Sequence, residues 1–138
     1  MSKAPTVVVI ALAGLIAASV ADARPHPRAI GRLPLRVGLC VETRVKSVET
    51  RLVDGSDNTA IADSGSAIHF ANGGYQVSYE SVRAIERSRP GDPVRMCLIE
   101  VPHPCPPGDA RGRLYKTTNL RTHRSWVLRD SEHMCGGA

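Results

Sequence analysis

A small, mainly β domain is what this sequence predicts: an antiparallel β-barrel or sandwich with at most one short helix, stapled by disulfides. Three observations carry that expectation. Short runs with period-2 apolar alternation are separated by clusters of Gly, Pro, Asn, Asp and Ser. Four cysteines, an even number, all lie beyond a leader with the form of an export signal. The chain left after that leader is short enough that its core alone gives modest stability, so covalent staples would help it.

The leader comes first. Lys3 precedes an apolar run from Val7 to Ala18, and Ala21-Asp22-Ala23 presents small residues where a signal peptidase reads its substrate. The run falls well short of the roughly 20 apolar residues that span a bilayer, and Arg24 and Arg28 follow it. Residues 1–23 are therefore expected to be a signal peptide, and the product periplasmic or secreted, with no transmembrane segment after signal removal. Residues 24–36, rich in Pro and Arg without apolar periodicity, are expected to be a flexible leader to one β domain over 37–138.

In that domain Val37, Leu39, Val41, Thr43 and Val45 alternate with Gly38, Cys40, Glu42, Arg44 and Lys46, the pattern of a half-buried strand. Apolar parity changes at Val48, as an inserted residue near Ser47 would make it do, and the strand is expected to run on to Val53. Turn clusters at Asp54 to Asn58 and Asp63 to Ser66 flank a short apolar piece, Ala60 to Ala62. Ala67 to Phe70 and Tyr75 to Tyr79 read as strands joined by the turn Asn72-Gly73-Gly74. Ser78 or Ser81 is placed to cap a brief helix through Arg87 that shows Val82 and Ile85 on one face. Gly91-Asp92-Pro93 launches a strand from Val94 to Val101, which Pro102 and Pro104 end because proline cannot donate to a ladder. After the rigid loop Cys105-Pro106-Pro107-Gly108-Asp109, Arg113 to Thr118 and Ser125 to Leu128 form the last hairpin.

Two bridges among Cys40, Cys97, Cys105 and Cys135 allow three connectivities. The preferred set is Cys40 with Cys97, tying strand to strand, and Cys105 with Cys135, tying the Pro-rich loop to the C-terminal tail. His103-Pro104-Cys105 and His133-Met134-Cys135 also repeat a His-x-Cys frame. His103, Cys105, His133 and Cys135 would make a Cys2His2 set for zinc, and Met134 would suit copper(I). This metal-handling reading is an alternative, because in an oxidising compartment two such thiols more simply form a disulfide. No cofactor is otherwise expected.

Net charge is +5, which suits anionic partners without demonstrating one. Arg113, Lys116, Arg121, Arg124 and Arg129 fall in the last hairpin with no acid between Asp109 and Asp130, and Tyr115 and Trp126 are interleaved. Residues of one parity share a strand face, so Arg113 would stand beside Tyr115, and Arg124 beside Trp126. That face would bind an anionic envelope component or an acidic protein, with arginines pairing to anions and the rings giving flat apolar contact. Aromatic content of 4% argues against single-stranded nucleic acid, which calls for several stacking platforms. An envelope hydrolase is a further alternative: Asp63, Ser64, Ser66 and His69 supply residue types for nucleophilic catalysis but no Gly-x-Ser-x-Gly elbow.

The segments Gly112 to Thr122, Ser125-Trp126 and Asp130-Ser131-Glu132-His133-Met134-Cys135-Gly136-Gly137-Ala138, with Gly91 to Leu98 and Cys105 to Asp109, resemble small uncharacterised exported proteins of α-proteobacteria. The resemblance implies a bacterial envelope setting and brings no activity, cofactor or catalytic residue. The expected role is a non-enzymatic binding or envelope-associated module.

Overall fold

The computed structural model describes residues 30–137, so the expected signal peptide lies outside the described residues. Six strands, β1 (Cys40–Thr50), β2 (Ser66–Phe70), β3 (Tyr75–Ser78), β4 (Pro93–Glu100), β5 (Leu114–Asn119) and β6 (Arg124–Arg129), and one short helix, α1 (Arg83–Glu86), make up the regular structure. The strands close into a barrel in the order β1-β2-β3-β6-β5-β4. Two three-stranded meanders are thus joined by antiparallel pairing of β1 with β4 and of β3 with β6. The expectation of a barrel or sandwich resolves to the closed form, which leaves no open sheet edge.

Closure depends on the irregularity near Ser47. The first half of β1 pairs with β4, from Cys40 opposite Cys97 to Arg44 opposite Pro93. The second half pairs with β2, and the register shifts between Val45 and Ser47. An inserted residue bends its strand, so one strand serves two neighbours and the sheet curls on itself. At its start β1 is shorter than expected: Gly38 takes φ 85°, a conformation that breaks the extended run, and Val37 and Leu39 stay outside the strand and exposed.

Inward-facing residues fill the barrel: Val45, Ile68, Phe70, Val94, Met96, Leu98, Tyr115 and Trp126 form one buried cluster with Ile85. Burying an aliphatic or aromatic side chain of this size contributes about 1.5–3 kcal/mol. Two elements stopper the two mouths. At one, residues 31–34 lie across the opening: Gly31 N–H donates to the Glu42 carbonyl at 2.8 Å, Leu33 packs on the cluster, and the Tyr115 hydroxyl donates to the Pro34 carbonyl at 3.2 Å. Residues 30–36 therefore depart from the flexible leader expected over 24–36. At the other mouth sits α1, with Ile85 wholly buried. Neither Ser78 nor Ser81 caps it. Val82 occupies the N-cap position without a side-chain cap, and its own N–H donates to Ser66 Oγ of β2 at 2.8 Å.

The preferred cysteine pairing is the one observed, Cys40 with Cys97 and Cys105 with Cys135. The first bridge staples β1 to β4 across the barrel wall, and the second holds the loop after β4 against the C-terminal tail. Among the described residues no helix is long and apolar enough to cross a membrane.

Candidate functional site

The β5–β6 hairpin forms close to where it was expected, with Leu114 opposite Arg129 and Asn119 opposite Arg124. Its parity pattern is also as expected, but the shared face points inward. Tyr115, Thr117 and Asn119 are buried with 1%, 0% and 0% exposure, as is Trp126 at 6%. Tyr115 and Trp126 are therefore core residues and offer no surface platform, which corrects their assignment to an anion-binding face. The physical reason is closure: in a barrel the apolar parity of every strand is the interior.

The same parity carries Arg113 and Arg124 out through opposite ends of the barrel. Arg113 precedes β5, whereas Arg124 lies opposite Asn119 at its far end, so about 20 Å of strand separates them. They cannot form one face. Arg129 is engaged, donating to the Gly112 carbonyl at 2.6 Å and to Glu100 at 3.0 Å. Arg113 is half-buried, and its Nε has no hydrogen-bond partner among the described residues. Lys116 stands exposed on the outer wall.

What the structure does assemble is a basic end. The turn after β5 and the segment from α1 to β4 meet there: Arg121 reaches the Arg87 carbonyl, Arg89 N–H donates to Asp92, Arg44 Nη1 donates to the Gly91 carbonyl, and Arg124 lies opposite Asn119. A buried polar knot fixes the two segments. Asp92, 6% exposed, accepts from Arg121 Nε at 2.6 Å and Nη2 at 2.9 Å, from Asn119 Nδ2 at 2.8 Å and from Arg89 N–H at 2.9 Å. Asn119 also donates to Ser88 Oγ, and its side-chain oxygen accepts from the N–H groups of Arg121 and Thr122. Arg121 Nη2 closes the ring on the Arg87 carbonyl at 2.8 Å. Hydrogen bonding from the Arg121 guanidinium, helped by Asn119 and Arg89 N–H, overrides burial and holds the Asp92 carboxyl at a pKa of about 2. Arg121 is thus mainly a structural cation, while Arg87, Arg89 and Arg124 are exposed.

Gln76 is the interior counterpart of that knot. Along β3 and β6 only Val77 and Arg129 pair, and the Gln76 amide stitches this seam instead. Its Nε2 donates to the Tyr115 and Leu128 carbonyls, both at 3.1 Å. Its Oε1 accepts from Thr117 Oγ1 at 2.8 Å and from Trp126 Nε1 at 2.9 Å. Sequence reasoning missed Gln76, Asn119 and the pairing of Asp92. The available signals were Asp92 between Gly and Pro at a strand start, and single amides in otherwise apolar strands.

The alternative sites fare differently. The disulfide engages both sulfurs of the expected metal set, and His103 and His133 are exposed. Among the described residues no group of three or more His, Cys, Asp or Glu side chains is placed to hold a metal ion. Ser66 Oγ is occupied by Val82 N–H and Ser64 Oγ by Leu52 N–H, while His69 stacks on Tyr75 with ring centroids 4.7 Å apart. No hydrogen bond among the described residues links that imidazole to either serine. Comparisons of the chain with protein-family models, with curated proteins and with solved structures return no match.

Proposed function

We propose that the protein is an exported, non-enzymatic binding module that holds an anionic envelope component or an acidic protein at the basic end of its barrel. The carrying observation is the convergence there of Arg87, Arg89, Arg121 and Arg124 on two segments pinned by Asp92 and Asn119. Segments already fixed spare an anion the cost of ordering their backbone, and clustered positive charge raises the local concentration of anionic ligands. Two disulfides support an extracytoplasmic setting, and the N-terminal apolar run supports export to the periplasm or medium.

The test substitutes Arg87, Arg89 and Arg124 by Glu together and leaves Arg121 to hold Asp92. Retention on heparin and co-sedimentation with phosphatidylglycerol vesicles should both be measured across a salt series. Loss of retention on both with an unchanged melting temperature is expected; retention equal to wild type would refute the proposal. Heparin alone losing its hold would restrict the partner to polyanionic chains.

A further inference from the structure

At the end of the barrel opposite the basic one, Arg113 lines two clefts, of about 200 and about 640 Å³, that also share Gly108, Asp109 and Ala110 of the loop after β4. Asp130 N–H donates to the Arg113 carbonyl at 3.0 Å. The two residues thus oppose each other across the hairpin, and their side chains share a face. They are nevertheless not paired. The Asp130 carboxylate accepts from Gly112 N–H at 2.8 Å, whereas Arg113 Nε is sealed from solvent without a partner and its guanidinium forms no ion pair among the described residues. Neighbouring arginines are matched. Arg111 forks onto Asp109 through Nε at 2.9 Å and Nη2 at 2.8 Å, and Arg121 onto Asp92 through Nε at 2.6 Å and Nη2 at 2.9 Å. A half-buried cation with an enclosed, unanswered N–H is costly to hold, and the clefts leave room for the acceptor it lacks.

We infer that this site binds a small organic monoanion, with its carboxylate on Arg113 and a short apolar body in the narrower cleft against Val101, Pro102 and Ala110. Three features select that occupant. The planar guanidinium matches the two oxygens of a carboxylate, as Arg111 already shows on Asp109. Both acids of the clefts are engaged elsewhere, Asp109 by Arg111 and Gly136 N–H and Asp130 by Gly112 N–H. They leave Arg113 free for a ligand, yet their charge disfavours a dianion such as phosphate. The narrower cleft has room for a few carbon atoms and none for a polyanionic chain. Arg113 belongs to neither segment of the basic end, so carboxylate binding here and retention on heparin report separately.

Amide chemical-shift titration of the intact disulfide-bonded protein with butyrate tests the inference, with butyramide and inorganic phosphate as the neutral and dianionic comparators. Butyrate should saturate one site, shift the amides of Gly108, Ala110 and Gly112, and bind more tightly than either comparator. Arg113→Gln should weaken it by at least about tenfold, the share of one charge-assisted hydrogen bond. Asp130→Asn keeps an oxygen for Gly112 N–H and removes a like charge, so it should tighten butyrate about twofold to fivefold. That second variant decides the matter even where Arg113→Gln does not fold. Equal affinity for butyramide, tighter binding of phosphate, affinity unchanged in Arg113→Gln, or no tightening in Asp130→Asn would overturn the inference.

Discussion

Replacing Gln76 by Leu tests the account of how the barrel closes. The volumes are close, so little cavity is created and the change falls on hydrogen bonding. Four bonds disappear, two to the carbonyls of Tyr115 and Leu128 and two from Thr117 Oγ1 and Trp126 Nε1. At about 0.5–1.5 kcal/mol net each, they are together worth about 4 kcal/mol. The indole N–H is then buried without an acceptor, a further cost of about 1–3 kcal/mol. Burying an aliphatic side chain in place of an amide returns about 2 kcal/mol. The expected net loss is about 3–5 kcal/mol, a large share of the roughly 5–15 kcal/mol that holds a domain of this size.

The assay is urea denaturation with disulfides intact, followed by circular dichroism. Trp126 is the only tryptophan and belongs to the double-mutant cycle that completes the test. Trp126→Phe alone removes one bond to Gln76, and the cycle of the two changes should give a coupling of at least about 1 kcal/mol. A loss below about 1 kcal/mol for Gln76→Leu, or a coupling near zero, would refute the claim that this amide closes the β3–β6 seam.

Two further outcomes follow from the geometry. Asp92 has a folded-state pKa of about 2, below the roughly 3.9 of an unfolded aspartate, so its contribution is complete above about pH 4 and lost as pH falls toward 2. Because Arg121 is 39% exposed, screening limits that contribution to about 1–2 kcal/mol. Melting temperatures between pH 5 and 2 should fall more steeply for wild type than for Asp92→Asn, and parallel slopes would contradict this. The Cys40–Cys97 bridge closes a loop of sequence separation 57, so replacing both cysteines by serine should cost about 4 kcal/mol on chain entropy. The same change at Cys105 and Cys135, which tie a surface loop to the tail, should cost less than half of that in global stability, measured by equilibrium unfolding.

Alternating residues, turn clusters and the parity change near Ser47 made the strands and the bulge of β1 legible. Export made disulfides legible, but the sequence left three connectivities open, and the preferred one, chosen from chain layout, is the one formed. Period-2 alternation says which residues share a face but not which side of a sheet that face occupies, and for Tyr115 and Trp126 only closure of the barrel decided it. That Arg113 and Arg124 fall at opposite ends follows from the antiparallel hairpin itself, whose turn between the two strands was already legible. The helix cap was misread because its donor, Val82 N–H, is satisfied across space by Ser66 rather than locally by Ser78 or Ser81. Arg121 read as a free cation because its partner Asp92 is distant in sequence.

Closure also constrains what the protein can do. With every strand paired on both sides, a partner cannot be recruited by adding a strand, so recognition falls to side chains on loops. Those loops are of two kinds. The segments at the basic end are fixed by Asp92 and Asn119, both buried, so a ligand meeting them need not order their backbone. The segment over residues 52–63 is exposed along its whole length and held chiefly at its base, so it belongs to the low-stability end of the structure. Affinity at the basic end should then depend on ionic strength.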